Sequence, residues 1–595
     1  MSITILSMGV KMKKQNDNSS TDAELALKNG GWNDRRFEVE PAKEEIAGRK
    51  VTILRYEVSE FGTYKVTFEL KPGKRNIENM VLFAGRRNMI EKNISISSES
   101  GIAYKKEFYV AVTPYIPALS PKRCNDKVIF VSFTGAGTDD PKAKVNVSIT
   151  REDVPIIWVA GDSTLTDQNA GNPYFPYGSC SGWAQTISRA ANHAAVCNLA
   201  HSGMTSNCFR DDGHYEIAKE LMKKGDLFLI QFGHNDQKRR NLAAFGGYEE
   251  NLKRYIEEVR SFGAIPVLCT PISRIPGKDE VGKFYSMLDQ YSKACYKVAK
   301  ETDTILVDLH DYTFKKWIEY GDRARDYFIK GDITHTNEYG AVLIADFFLK
   351  SIKEKLDEKY FSKLEEDRLY TPDTDTKDIP KELPSKDVFN IEPPFVDTVG
   401  IPEYEGIKKA FRYGLLDPCV MHLHPYAVMP RAQLLMVMFK AFRLTGKRPY
   451  LNEYADINEL DWDAGYVQAL HDGNLIDPET IAKDESGNLL FRPDDPLTYR
   501  EFASFIIRYL EKDITKRDIS LSECEKRFYE SGFILYGVRS IADHVNESVR
   551  NEKYRLAEGE YISRAEVYST LSLFIERAGD TGKELPSDVE VHPVH

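Results

Sequence analysis

A serine that follows a short apolar run is the first residue in this chain equipped for chemistry. Ser163 stands in GDST (161–164), directly behind IIWVA (156–160). At the carboxyl end of a first parallel strand it would face the crevice where open α/β sheets place their ligands. A serine hydroxyl becomes a nucleophile only beside a base. Three further segments offer partners. NLAHSGMTS (198–206) carries Gly203, QFGHND (231–236) carries Asn235, and GDITHTNEYGA (331–341) carries Asp332 and His335. Together they hold what acyl transfer demands: a nucleophile, a base, an orienting acid and polar donors for an oxyanion. GDST alone reads equally well as a helix cap, so the chemistry rests on the ordered set.

Other polar residues nearby are less specific. His201, His214, His234 and Asp236 match no standard metal-ligand spacing, and no metal or organic cofactor is expected. Asp162 and Asp236 are short acids in turns, whose usual work is to bond loop backbone. Asn207, Arg210 and Lys238 are read with equal weight as substrate contacts or solvated surface.

These loops need a scaffold. Five nearly all-apolar runs occur at 156–160, 194–200, 226–233, 264–270 and 304–309, with amphipathic segments between them. In YEENLKRYIEEVRSFG (248–263), Leu252, Tyr255, Ile256 and Val259 share one helical face. Continuous apolar strands alternating with helices predict a parallel sheet covered on both sides. This domain is drawn over 153–360, with GWAQ (182–185) opening its first helix and NEYGAVLIADFFLKSIKEKL closing it.

On these motifs the chain resembles the SGNH (GDSL) hydrolase superfamily, whose four blocks match in order at Ser163, Gly203, Asn235 and the Asp332/His335 pair. Within it, GDSTLTDQ, GWAQ, NLAHSGMTS, GDLFLIQFGHNDQK and DITHTNEYGA resemble the rhamnogalacturonan acetylesterases over residues 153–355. The resemblance implies a flavodoxin-like α/β/α domain and an ester hydrolase. Ser163 would attack the ester carbonyl, His335 would accept its proton, and Asp332 would hold the imidazole. The backbone N–H groups of Ser163 and Gly203 and the side-chain amide of Asn235 would bind the oxyanion. The expected substrate is an acetylated plant cell-wall polysaccharide such as pectin.

The flanks complete a multidomain chain. Residues 1–34 read as disordered. Residues 35–150 carry short β-branched or aromatic runs (VTILRYEV, YKVTFELK, KEFYVAVT, KVIFVSFT, KVNVSIT) split by turn formers, which predicts a small β-sandwich. Its aromatics Tyr56, Phe61, Tyr64 and Phe68 sit at core spacing, although a sugar-binding role is the alternative. Residues 361–394 read as a linker and 581–595 as a tail. Between them, 395–580 reads as three helical repeats. FVDTVG (395–400) and YADINE (454–459) open the first two, and YESGFI (529–534) a degraded third. MPRAQ (429–433), LTYRE (497–501) and ISRAE (562–566) follow, with Arg431, Arg500 and Arg564 taken as equivalent. These repeats resemble S-layer homology (SLH) domains. That resemblance implies a helical trefoil that binds secondary cell-wall polysaccharide, with the three arginines as contacts. A helical packing module is the alternative.

Bulk properties narrow the classes further. With 595 residues the chain is too long for a single core. A net charge of −11 disfavours nucleic-acid binding. No apolar run is long enough for a membrane span. The eight cysteines are scattered without CxxC pairs, so buried thiols are expected rather than disulfides. SLH-like repeats suggest the cell surface, yet MSITILSMGVKMKK makes no convincing secretion signal, which leaves a cytoplasmic location as the alternative. Two rival functions stay open: acyl hydrolysis on another glycan or a lipid, and a wall-binding structural protein with an idle hydrolase domain.

Overall fold

The computed structural model describes residues 11–13, 38–39, 51–116, 123–168, 180–278, 282–329, 332–353, 355–362, 389–390, 395–398, 400–413, 415–416, 423–442, 444, 446–447, 450–459, 461–511, 514–530 and 560–580. It divides into two compact units. One is Met1–Ile275 with Leu288–Glu392, and the other is Pro276–Met287 with Pro393–His595. Most of the 1–34 segment, most of the 361–394 linker and the 581–595 tail lie outside the described residues.

The first unit begins with antiparallel strands β1 (Val51–Glu57), β2 (Gly62–Lys71), β3 (Ile77–Ala84), β4 (Asn88–Ile96), β5 (Tyr104–Val112), β6 (Val128–Ala136) and β7 (Lys144–Arg151). One sheet has the order β1-β6-β3-β4, with Lys11–Lys13 added beside β1, and a second has the order β5-β2-β7. The 1–34 segment therefore contributes a short strand, against the reading of uniform disorder. Leu54, Tyr56, Leu82 and Val131 of the first sheet share an apolar cluster with Val66, Phe68, Phe108 and Val147 of the second. Tyr56, Tyr64 and Phe68 are buried in this cluster, with Phe61 packed against it, so these aromatics form core and not a sugar platform.

Two strands, β3 and β4, escape the sequence pattern for a physical reason. Side chains alternate across a strand, and β3 buries both sets. Met80, Leu82 and Ala84 enter the β-domain core. Val81 and Phe83, with Met89 of β4, enter a cluster that also holds Ile157, Val159 and Trp183 of the next domain. The β-domain and its neighbour share apolar core.

That neighbour contains five parallel strands, β8 (Ile156–Gly161), β9 (Ala195–Asn198), β10 (Leu227–Gln231), β11 (Ile265–Cys269) and β12 (Ile305–Val307), in the order β9-β8-β10-β11-β12. Each coincides with one of the apolar runs. The sequence order 2-1-3-4-5 is the flavodoxin-like one, with its crevice beside the first strand. Helices α1 (His214–Leu221), α2 (Glu249–Ser261) and α3 (Asp289–Thr302) cover one face, where Tyr255, Ile256 and Val298 meet Trp158 and Ile230. Helix α5 (Glu338–Ile352) packs Val342, Ile344 and Phe348 on the other, beside α4 (Leu309–Tyr320). GWAQ opens the first helix, a 3₁₀ helix at Trp183–Arg189. The domain also runs past residue 360. Phe361 is buried, and the Ser362 N–H donates to the Ala190 carbonyl. Phe389–Asn390 pairs with Glu38–Val39, so the expected linker contains a strand pairing.

The second unit is helical. Its helices are α6 (Tyr404–Arg412), α7 (Arg431–Phe442), α8 (Ala464–Asp472), α9 (Tyr499–Leu510), α10 (Leu521–Glu530) and α11 (Arg564–Asp580). Backbone bonds close the segments leading into α7, α9 and α11 into a ring. Leu497 N–H donates to Met429 O, Ile562 N–H to Leu497 O, and Met429 N–H to Ile562 O. The first residues of α7, α9 and α11 repeat the pattern: Arg431 N–H donates to Asp495 O, Tyr499 N–H to Glu560 O, and Arg564 N–H to Ala427 O. These sets relate three helix starts cyclically. The opening aspartates also act alike. Asp397 accepts from the N–H groups of Leu423 and His424, and Asp456 from those of Phe491 and Arg492. Each holds a residue with positive φ, His424 at 53° and Arg492 at 59°.

The ring corrects three readings. The capping serine and threonine, Ser563 and Thr498, align Arg564 with Tyr499, so Arg500 lies one residue out of register. Arg431 is 0 % exposed and ion-paired to Glu501, over the ring of Phe491. It therefore offers no surface to a polymer. Arg564 is partly buried, and its guanidinium donates to the Leu423 carbonyl. The third opening helix is α10, which begins at Leu521 and ends on Tyr529 and Glu530 of YESGFI; residues 531–534 of that motif lie outside the described residues. Arg431→Met should cost the helical unit about 3–5 kcal/mol, because it breaks a buried ion pair and leaves the Glu501 carboxylate only its Thr498 bonds and Arg492 at 3.9 Å. Urea unfolding of the full chain followed through this unit checks the value.

Candidate active site

Ser163 lies two residues beyond β8 in a tight turn and is 7 % exposed. Asp162 builds that turn. Its Oδ1 accepts from the Thr164 N–H and hydroxyl at 2.9 and 2.7 Å, and its carbonyl accepts from the N–H groups of Leu165 and Thr166. The Ser163 Oγ comes within 2.8 Å of His335 Nε2. His335 Nδ1 is 2.7 Å from Asp332 Oδ2. The other oxygen of Asp332 accepts from the N–H groups of Thr334 and His335, at 2.6 and 3.0 Å. The Asp-x-x-His spacing thus makes a small turn in which one carboxylate fixes both its own loop and the imidazole. Since Asp332 faces Nδ1, the neutral ring carries its proton there and leaves Nε2 free to accept from the serine.

Electrostatics favour this polarity. Burial alone would raise the Asp332 carboxyl, but the adjacent His335 and the two backbone N–H bonds overrule it and hold the group well below the usual carboxylate range. A depressed carboxylate contributes stability above its unfolded value and loses it only as pH falls through the folded one. Asp332 therefore stays ionised wherever an ester hydrolase would be assayed.

The remaining polar loops converge on the same serine. Gln168 donates from one amide nitrogen to the Ser163 carbonyl (2.7 Å) and to Ser202 Oγ (3.3 Å), so the residue before Gly203 is tied to the nucleophile's backbone. Gly203 has φ 82°, and a Cβ there would meet nothing within 4 Å. Its glycine is explained by conformation and not by crowding. Asn235 Nδ2 donates to the Met204 carbonyl at 3.0 Å, and Lys238 Nζ donates to Asn235 Oδ1 at 3.4 Å. The amide thus turns its nitrogen toward the Gly203–Met204 segment.

Other residues have defined places. Asp236 accepts from the N–H groups of Ser206 and Gly233, bracing two loops, and burial pushes its carboxyl up to about 6. His234 faces Asp162 at 3.3 Å, and burial lowers its imidazole despite that acid. His201 and His214 are ring neighbours at 4.9 Å. Among the described residues, no three His, Cys, Asp or Glu side chains gather as a metal ion would need. Arg210 pairs with Glu258 and lies 3.9 Å over the Tyr255 ring. Asn207 Oδ1 accepts from the Thr205 hydroxyl within its own loop.

GWAQ does more than open a helix. A Cβ on Gly182 would lie 2.2 Å from the Leu165 carbonyl carbon, so only glycine lets this segment lie against the serine turn. Trp183 N–H donates to Thr164 O, and its indole N–H to Gln231 Oε1, whose amide nitrogen donates to Thr164 Oγ1. The sequence flagged the motif without revealing this work.

A flavodoxin-like sheet with a Ser–His–Asp relay at its carboxyl edge is the architecture of a serine-type acyl hydrolase. The profile of the GDSL-like Lipase/Acylhydrolase family matches residues 159–343. Rhamnogalacturonan acetylesterase RhgT of Bacillus subtilis is 30% identical over 213 residues, covering 33% of this chain and 89% of the relative. A probable rhamnogalacturonan acetylesterase, YesY, from the same organism is 30% identical over 208 residues (33% of this chain, 92% of the relative). A rhamnogalacturonan acetylesterase of Emericella nidulans is 24% identical over 219 residues (33% and 84%). The chain belongs to the GDSL-like lipase/acylhydrolase family and is a carboxylic ester hydrolase.

Asn235→Ala should reduce kcat about 10²–10³-fold with little change in KM, the effect expected where this amide is an oxyanion donor. Steady-state kinetics on 4-nitrophenyl acetate check this.

Proposed function

We propose that this protein removes acetyl groups from an acetylated plant cell-wall polysaccharide of the rhamnogalacturonan type. The observation that carries the reading is the Ser163–His335–Asp332 relay, with both hydrogen bonds already at working distance. Its place in a family whose relatives bear that substrate in their names supports the choice of glycan.

In this mechanism Ser163 Oγ attacks the acetyl carbonyl while His335 Nε2 takes the hydroxyl proton. The new imidazolium is stabilised by the Asp332 carboxylate. The oxyanion is bound by the backbone N–H groups of Ser163 and Gly203 and by Asn235 Nδ2. His335 then passes its proton to the departing sugar oxygen. Water, activated by the same imidazole, cleaves the acetyl-enzyme and releases acetate. The chain's own residues supply every step.

The flanking regions fit this setting. We read residues 51–151 as a β-sandwich that serves as a packing partner for the hydrolase. We read the helical ring as an SLH-like module. Wall-polymer binding there would fall to Arg564 and Arg500 and not to Arg431. Acetate release from acetylated pectin fragments, measured beside acetylated xylan, tests the substrate. Faster release from pectin is expected. Equal or slower release would contradict the glycan assignment while leaving the esterase reading intact.

A further inference from the structure

The β3–β4 turn, with the first residue of β4, carries three polar residues, Arg86, Arg87 and Asn88, away from the β-domain and into the loops around Ser163. We propose that this turn is a positioning element of the esterase site, so that the catalytic unit begins at the β-domain and not at residue 153. The proposal rests on the esterase reading above and adds a second domain to its machinery.

Three routes lead from the turn. The first reaches the base. Arg87 is 1 % exposed and donates to the Cys180 carbonyl at 2.7 Å and to Gln185 Oε1 at 3.0 Å. Cys180 pairs with Asn337 in an antiparallel bridge. Ser181 N–H donates to the Thr336 carbonyl, and the Thr336 hydroxyl returns a bond to Ser181 O. Thr336 directly follows His335. The second route reaches the nucleophile. Gln185 Nε2 donates to the Gln168 carbonyl, and the Gln168 side chain donates to the Ser163 carbonyl. The third reaches the Gly203 loop. Asn88 Nδ2 donates to Asp167 Oδ2 at 2.7 Å, and Asn198 Nδ2 donates to Asp167 Oδ1 at 2.7 Å. Arg86 also donates to the Asn198 carbonyl. Asn198 ends β9 and its Oδ1 accepts from the Ala200 N–H, which sets the course of the segment toward Gly203.

The cost of this arrangement argues that it is specified. A guanidinium and a carboxylate are both taken out of water, and burial pushes Asp167 up to about 6 against the pull of Arg86. Arg87 holds φ at 64°, an uncommon conformation for a residue with a side chain. A packing contact alone needs none of this, since Val81, Phe83 and Met89 already join the two domains through apolar surface.

The test uses the full chain with Arg87→Met, Arg87→Lys, Asn88→Ala and Gln185→Ala, alone and with Arg87→Met combined with Gln185→Ala. Active sites are counted by an organophosphonate that labels Ser163, and kcat is expressed per labelled site. Misplacing reacting groups by about 1 Å can cost about 10²-fold. Arg87→Met should therefore lower kcat per site about 10–100-fold, with KM changed less than about threefold, and should slow labelling in parallel. Arg87→Lys should recover part of the loss. The double variant should be no slower than the worse single one, because both act through one network. Asn88 is partly exposed, and Asn88→Ala keeps the test open should Arg87→Met fail to fold. Wild-type kcat per site in folded Asn88→Ala and Arg87 variants, or activity lost only in step with the unfolded fraction, would overturn the proposal. An inactive wild type would instead remove the esterase reading itself.

Discussion

Replacing Ser163 by alanine should lower acetate release about 10⁶-fold, while the protein stays folded with an essentially unchanged melting temperature. The size of the effect follows from what remains. Without the hydroxyl no acyl-enzyme forms, and only the oxyanion donors and binding contacts can assist water. The fold should tolerate the change because the Ser163 side chain makes its bond to His335 and not to a strand or core residue. The turn itself is held by the Asp162 carboxylate and carbonyl, which the substitution leaves in place. One lost hydrogen bond is worth about 1 kcal/mol. Hydrolysis of 4-nitrophenyl acetate and a thermal melt of the same preparation check both halves. A variant that retains a few per cent of activity would exclude Ser163 as nucleophile.

The second large effect belongs to Asp332. Asp332→Asn should lower kcat about 10⁴-fold while changing KM little. The carboxylate accepts the His335 Nδ1 proton and so reserves Nε2 for the serine. An amide at this place can present its NH₂ to the ring, which favours the tautomer with the proton on Nε2. The imidazole could then no longer draw the proton from Ser163, nor would a negative charge stabilise the imidazolium. The pH behaviour follows from the direction of the shift. Asp332 is held far below the ordinary range, so it gains no proton on the acid side of the activity profile. A general base must be unprotonated to accept the serine proton. Kinetics from acid to mildly alkaline pH should therefore show an acid limb in wild type that raising the pH reverses. The Asp332→Asn deficit should persist at the plateau.

Much of the central domain was legible in the sequence because its signals are local. Each of the five strands is a short apolar run, and the structure joins Ser163, just beyond β8, to Asp332 and His335 in the segment before α5. Ser163, Asp332 and His335 come together as one bonded set, and Gly203 and Asn235 adjoin it through Ser202 and Met204. What stayed hidden is non-local. β3 and β4 lack a clean alternation since β3 faces apolar partners on both sides and β4 carries Glu91, Lys92 and Asn93. The turn between them looked like any polar loop, and only the fold discloses its reach to Cys180, Gln185 and Asp167. In the helical unit the spacing of the motifs did not give the register of the helix starts. Arg500 and Arg564 look equivalent as letters, while the capping residues Thr498 and Ser563 show that Tyr499 holds the matching position. Burial of Arg431 depends on Glu501 and Phe491, which lie in a different repeat.

The most direct measurement is a rapid acid quench of the full-length enzyme during turnover of an activated acetyl ester, followed by peptide mass analysis. A single acetyl group on Ser163 is expected, accumulating in wild type and absent from His335→Ala. Acetyl found on another residue, or undiminished turnover by an enzyme that cannot be acetylated at this serine, would contradict it.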